Sequence, residues 1–205
     1  MFKKDSVYAL VIGLITAFFA SLILINTATP LRIGSIDLPL WTLFITLPIV
    51  EYIAYVIASG LFSHVLALKQ LGRFGIVGLM NFSVDVGILS ALSARTGIYG
   101  GVAIIPLNMI SVVVAIINSY YWQRNWTFAE KAPPTRKEFT KFVVITLIGI
   151  AINSLLVYFF LEFVMPGGVL TPARLEVVAK IGATVVSLFW NFLGYKFLVF
   201  KEGNN

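Results

Sequence analysis

Six runs of apolar residues, each near the length of a bilayer span, alternate along the chain with short polar connections. A helix needs about 20 mostly apolar residues to cross the hydrocarbon core. The pattern predicts helices over roughly Val7–Ile25, Leu40–Ser59, Phe74–Leu92, Val102–Trp122, Phe142–Phe163 and Val177–Phe197, with Leu61–Leu68 either prolonging the second or lying at the interface. Turn residues fill the gaps: Thr29-Pro30, Gly97 with Gly100-Gly101, Pro133-Pro134, and Pro166-Gly167-Gly168 with Pro172. Lys3-Lys4 before the first run resembles the start of a secretory signal. That run is too long for a signal core, however, and no small-x-small cleavage site follows it.

Composition agrees with the pattern. Of 205 residues, 59% are hydrophobic and 12% charged, where a soluble domain carries about 25% charged residues. Mean hydropathy is +0.95. A soluble core cannot absorb that apolar excess, so the expected fold is an all-α integral membrane bundle of six transmembrane helices. The absence of cysteine removes disulfides, thiolate metal sites and cysteine nucleophiles together. The single histidine, His64, reads as an ordinary interfacial residue, and no metal or cofactor is expected. There is no G-x-x-x-x-G-K-[ST] phosphate loop and no loop with the paired carboxylates of a glycosyltransferase. Gly75-Ile76-Val77-Gly78 is too short and apolar for a dinucleotide fingerprint. No catalytic activity is expected of this chain alone.

The net charge of +6 suggests nucleic acid only until its placement is considered. One side of the predicted topology holds Lys3, Lys4, Lys69, Arg73, Arg124, Lys131, Arg136, Lys137, Lys141, Lys196 and Lys201. The other holds Arg32, Arg95 and Arg174, with Lys180 just inside the sixth helix. Basic excess marks the cytoplasmic side, so both termini are expected there and no nucleic-acid partner is inferred. Tyr120, Tyr121, Trp122, Trp126 and Tyr195 then fall at the cytoplasmic interface, where amphipathic rings settle.

Several polar residues interrupt the spans. Gly78, Asn81 and Asp85 share one face of the third helix, and the small residue predicts close approach of a neighbour. An ionised carboxylate at that depth costs about 3 kcal/mol on insertion scales, so Asp85 should face protein. The sixth helix carries a stripe of Lys180, Thr184, Ser187 and Asn191, and the fourth carries Asn108, Ser111, Ala115 and Ser119. These stripes read either as packing contacts between helices or as facing walls of one cavity. Glu51, Tyr55 and Ser59 share a face of the second helix, and Glu51 or Asp85 is available to neutralise Lys180.

The later part of the chain reads twice, over about 73–130 and 141–202. Arg73-Phe74 opens one unit and Lys141-Phe142 the other. Asp85 falls opposite Asn153, and Arg124 through Glu130 lies over Lys196 through Glu202. Each unit holds two spans, so the units are expected to share one orientation about an axis along the membrane normal. The domains expected are thus a transmembrane hairpin over 1–69 and a four-helix core over 70–205.

Arg73 through Asn81 with Asp85, Asn118 through Phe128, and Trp190-Asn191-Phe192 through Phe200 resemble the GtrA-like family. The resemblance covers roughly 70–202. It departs at Gly194-Tyr195-Lys196, where many members have a leucine-asparagine-arginine-like ending, and the first two helices lie outside it. It implies a prokaryotic cytoplasmic-membrane protein that translocates a polyprenyl-phosphate-linked sugar for surface glycans. The implied partners are that lipid-linked sugar, membrane lipids, a polyprenyl-phosphate glycosyltransferase inside and a transferase outside; a homo-oligomer is compatible with it. In this reading Arg124 and Lys196 engage the lipid phosphate. Asn81, Asp85, Asn108, Asn118, Ser119, Asn153, Lys180, Thr184, Ser187 and Asn191 offer polar contacts to the passing sugar. Two alternatives stand beside it: a non-transporting scaffold that recruits a polyprenyl-sugar synthase, and a small exporter coupled to protons through Asp85 or Glu51.

Overall fold

The computed structural model describes residues 2–61, 64–99, 102–160 and 172–200, the last stretch with side chains from 182 onward. Each apolar run forms a helix: α1 Phe2–Asn26, α2 Leu43–Leu61, α3 Leu66–Thr96, α4 Ile104–Trp122, α5 Arg136–Phe159 and α6 Pro172–Gly194. Among the described residues six helices are long and apolar enough to cross a membrane. The protein is an all-α, multi-pass membrane protein. Leu61 closes α2 and Leu66–Leu68 open α3, which divides the ambiguous Leu61–Leu68 stretch between two helices. The turn residues Gly100-Gly101 and Pro166-Gly167-Gly168 lie outside the described residues, as do the expected end of the fifth span at Phe163 and the closing Lys201-Glu202.

At 31 residues, α3 is about 46 Å long at 1.5 Å per residue, well beyond a hydrocarbon core of about 30 Å. A helix of that length crosses with a tilt or carries its ends into the headgroup layers. It stops at Gly97, whose φ of 70° is left-handed and whose N–H donates to the Ser93 carbonyl at 2.9 Å. A side chain would disfavour that conformation. Between α1 and α2 the chain forms a two-stranded antiparallel hairpin, β1 Arg32–Ile33 with β2 Ile36–Asp37, pairing Arg32 with Asp37 and Ile33 with Ile36. An exposed Arg32–Asp37 ion pair closes it. The sequence reading makes this stretch a plain connection.

Two compact units divide the chain, Met1–Ala129 and Glu130–Asn205. In the first, α1 packs on α2 and α3, and α3 packs on α4. Ile12, Tyr55, Val77, Met80, Val84, Trp122 and Trp126 form its core. The N-terminal hairpin thus joins the first repeat in one body, a different division from 1–69 and 70–205. Missing side chains bring these helices together. A Cβ at Gly13 would overlap the backbone of Pro48, one at Gly72 would strike Ala58, and one at Gly87 would strike Phe19. Among the described residues the approach expected at Gly78 is not seen, because a Cβ there would meet no atom of a neighbouring helix within 4 Å. In the second unit α5 packs on α6, with Gly149 against the Asn191 side chain and Gly194 against Ile145.

These contacts separate two substitutions. Gly13→Ala is expected to destabilise the protein by about 1–3 kcal/mol through overpacking against backbone. Gly78→Ala is expected to be neutral, or to stabilise by up to about 1 kcal/mol through helix propensity. Thermal unfolding of the two purified variants in detergent checks both signs.

Candidate functional site

Both repeats end in the same unusual turn. Helix α4 runs on into a π-helical turn over Gln123–Thr127, and α6 into one over Tyr195–Val199. Each is closed by an i to i+5 hydrogen bond, Phe128 N–H to the Gln123 carbonyl at 2.9 Å and Phe200 N–H to the Tyr195 carbonyl at 2.7 Å. Such turns are rare and concentrate at functional sites. The two fall in the register of the sequence repeat, with Arg124 and Lys196 in the same place.

The basic residue opening each repeat fastens this turn. Arg73 Nη1 donates to the Trp126 carbonyl at 3.0 Å, and Lys141 Nζ to the Leu198 carbonyl at 3.1 Å. Beyond that the repeats differ. Arg73 also pairs with Asp5 of α1 at 2.8 Å, with side chains only 14% and 15% exposed. Its guanidinium lies over the rings of Tyr55 and Trp126, 6.0 and 5.7 Å from their centroids. Lys141 is exposed and Lys196 half-buried. Lys196 Nζ lies 6.0 Å from the Phe192 centroid and 5.7 Å from that of Phe197. Arg124, by contrast, is buried at 6% exposure and already partnered.

The aromatic residues at these ends differ in exposure. Trp122, Trp126 and Tyr195 are buried, whereas Tyr121 is exposed. Tyr195 stacks on Phe142 with centroids 4.2 Å apart, and its hydroxyl shares a 2.6 Å hydrogen bond with Thr146. The tyrosine that departs from the family-like ending thus anchors the second turn to α5.

Polar side chains pair across the helices of each repeat. Ser111 Oγ donates to Asp85 Oδ1 at 2.7 Å, and Asn118 Nδ2 reaches Asn81 Oδ1 at 3.4 Å. In the second repeat Asn153 Nδ2 reaches Thr184 Oγ1 at 3.3 Å and Ser187 Oγ at 3.4 Å. Asp85, Asn81, Asn118, Ser119, Asn153 and Asn191 are half-buried, Ser187 is buried and Thr184 exposed. Asn191 Oδ1 is buried without a hydrogen bond. Asn108 is exposed, against its expected inward aspect; its backbone carbonyl lies 3.0 Å from Ser111 Oγ, as an alternative acceptor to Asp85 for that hydroxyl's one proton. Lys180 lies on α6, but its side chain and any pairing with Glu51 or Asp85 fall outside the described residues.

Glu51, Tyr55 and Ser59 do share the buried face of α2. Glu51 is 2% exposed. The Thr16 hydroxyl lies beside it but gives its proton to the Ile12 carbonyl at 3.0 Å, and by geometry neither Glu51 oxygen has a hydrogen-bond partner. His64 is exposed in the turn before α3. Sequence reasoning missed the fastening roles of Arg73 and Lys141, although both basic-aromatic pairs that open the repeats signalled them.

A membrane protein built from a repeated two-helix unit, each ending in a basic π turn, defines the class. The family described as GtrA/DPMS, transmembrane domain, matches residues 73–200, both repeats and neither helix of the N-terminal hairpin. The uncharacterized membrane protein YngA of Bacillus subtilis (strain 168) is 35% identical over 135 residues, which is 66% of this chain and 82% of that protein. No solved structure matches the chain. The chain belongs to the GtrA/DPMS transmembrane domain family.

Proposed function

We propose that the protein moves a polyprenyl-phosphate-linked sugar from the cytoplasmic to the outer leaflet of the cytoplasmic membrane, with both termini in the cytoplasm. Family membership supports a polyprenyl-phosphate-sugar setting. The observation that carries the reading is the recurrence of paired polar side chains within the spans of both repeats, Asp85 with Ser111 and Asn153 with Thr184 and Ser187. A sugar cannot cross hydrocarbon with its hydroxyls unpaired, and these groups offer replacement hydrogen bonds. Transport runs downhill, drawn by a transferase that consumes the lipid-sugar outside and fed by a polyprenyl-phosphate glycosyltransferase inside.

Vesicles holding purified protein and a labelled polyprenyl-phosphate sugar test this. With no nucleotide or ion gradient, an impermeant reagent added outside is expected to reach nearly all the label, against about half in protein-free vesicles. Asn153→Ala is expected to slow crossing roughly tenfold, the effect of about 1.4 kcal/mol on a barrier from lost hydrogen bonding. Label that stays half-protected around correctly inserted wild-type protein would overturn transport and favour a scaffold that recruits the synthase.

A further inference from the structure

Four basic side chains hold equivalent places in the two repeats, Arg73 and Arg124 in the first, Lys141 and Lys196 in the second. Their surroundings are unequal. Arg73 spends one arm on the Trp126 carbonyl and the other on Asp5, and Arg124 is buried and partnered. Lys141 gives one proton to the Leu198 carbonyl and is otherwise exposed. Lys196 rests against two ring faces. Among the described residues neither lysine has an acid within salt-bridge distance.

We propose that the second repeat alone holds the phosphate of the lipid substrate, through Lys141 and Lys196, while in the first repeat Arg73 holds the π turn and the N-terminal hairpin and Arg124 is buried. The assignment rests on the lipid-phosphate reading above. The residue types follow the division. Arg73 makes two directed bonds at once, which a planar fork allows and a lysine ammonium matches poorly. A lysine that serves one carbonyl still has donors and its full charge to offer a phosphate oxygen. Lys141 and Lys196 attend the same π turn, because Lys141 bonds the carbonyl of Leu198, two residues past Lys196. Phe197 and Leu198, 58% and 55% exposed, flank Lys196 with apolar surface suited to an isoprenoid chain. Asp5, which neutralises Arg73, belongs to α1, outside the family-matched residues. The hairpin thus supplies the acid that withdraws the first repeat's cation from ligand binding.

The shared chemistry is a membrane-lipid phosphate ester, and the probes separate its sources. Binding of polyprenyl phosphate, polyprenol and phosphatidylglycerol is measured on the purified full chain in detergent. Lys141→Ala and Lys196→Ala are each expected to weaken polyprenyl phosphate binding about tenfold, the loss of one charge-assisted hydrogen bond. Polyprenol binding should stay at its wild-type value in both variants, and so should the melting temperature of Lys196→Ala; Lys141→Ala, which also loses the bond to the Leu198 carbonyl, is expected to melt slightly lower. Arg73→Gln is expected to lower the melting temperature, and its folded fraction should bind polyprenyl phosphate like wild type. Arg73→Lys, which keeps the charge, provides the same comparison should the glutamine variant not fold. Wild-type affinity in the double lysine variant, or a tenfold loss in Arg73→Lys, would overturn the assignment. Equal binding of phosphatidylglycerol, lost in the same variants, would overturn a carrier lipid as the ligand. Lysine variants that lose phosphate affinity while wild-type protein moves no sugar would sink the transport reading and leave this assignment standing.

Discussion

Arg73→Ala is expected to be the most destabilising single change in the first unit, by about 2–4 kcal/mol, somewhat below the range for breaking a fully buried pair because both partners keep slight exposure. Three losses coincide. The Asp5 carboxylate keeps its shielded place without its cation. The Trp126 carbonyl loses its side-chain donor. The faces of Tyr55 and Trp126 lose a cation worth about 0.5–2 kcal/mol in such a site. Arg73→Lys should cost less, since it keeps the charge but serves one partner at a time. Asp5→Asn should cost about 1–2 kcal/mol, because the guanidinium retains the Trp126 carbonyl and the rings. The double variant should fall short of additivity by about 1 kcal/mol or more. Unfolding in mixed micelles of mild detergent and sodium dodecyl sulfate measures all four. Additive losses, or an Arg73→Ala as stable as wild type, would remove Arg73 from its place as the join between hairpin and repeat.

That join shows where sequence reading stops. Six spans were legible because length and hydropathy suffice to identify a membrane helix. The repeat was legible because Arg73-Phe74 with Lys141-Phe142, and Arg124 with Lys196, are not generic apolar filler. The buried face of Glu51, Tyr55 and Ser59 followed from helical periodicity alone. Periodicity gives a face but not the helix that covers it, so Gly78 was expected to be a point of close approach when Gly13, Gly72 and Gly87 are. Arg73 reads as a topogenic charge because its acid lies 68 residues away. Trp122 and Trp126 have the composition of interfacial anchors, yet their neighbours Tyr8, Tyr55 and Arg73 enclose them. The π turns have no compositional signature, because one extra residue in a helical turn is a matter of hydrogen-bond register. Asn108 sits in the predicted stripe of α4, but only Ser111 in the next turn reaches Asp85.

Glu51→Met is expected to stabilise the protein by about 1–3 kcal/mol, the gain seen when a poorly compensated buried polar group gives way to an apolar side chain of similar size. Glu51 sits one turn beyond Pro48 in α2, within a membrane span. It is 2% exposed, and neither oxygen has a hydrogen-bond partner. A carboxyl in that position is costly charged, and neutral it still has polar atoms to satisfy. Methionine is unbranched and adaptable enough to fill the space beside Thr16 without forcing α1 and α2 apart. Glu51→Gln should gain less, because an amide in the same place leaves its own donors and acceptor unmet. Unfolding under the same detergent conditions gives the sign, and a loss of stability in Glu51→Met sinks the argument. The vesicle assay then asks what the group is for. A variant more stable than wild type but slower in transport would mean that Glu51 is kept at a structural cost because crossing needs it, since sites that work by moving or by binding are held away from their stability optimum. Unchanged transport in the more stable variant would confine Glu51 to the packing of the hairpin.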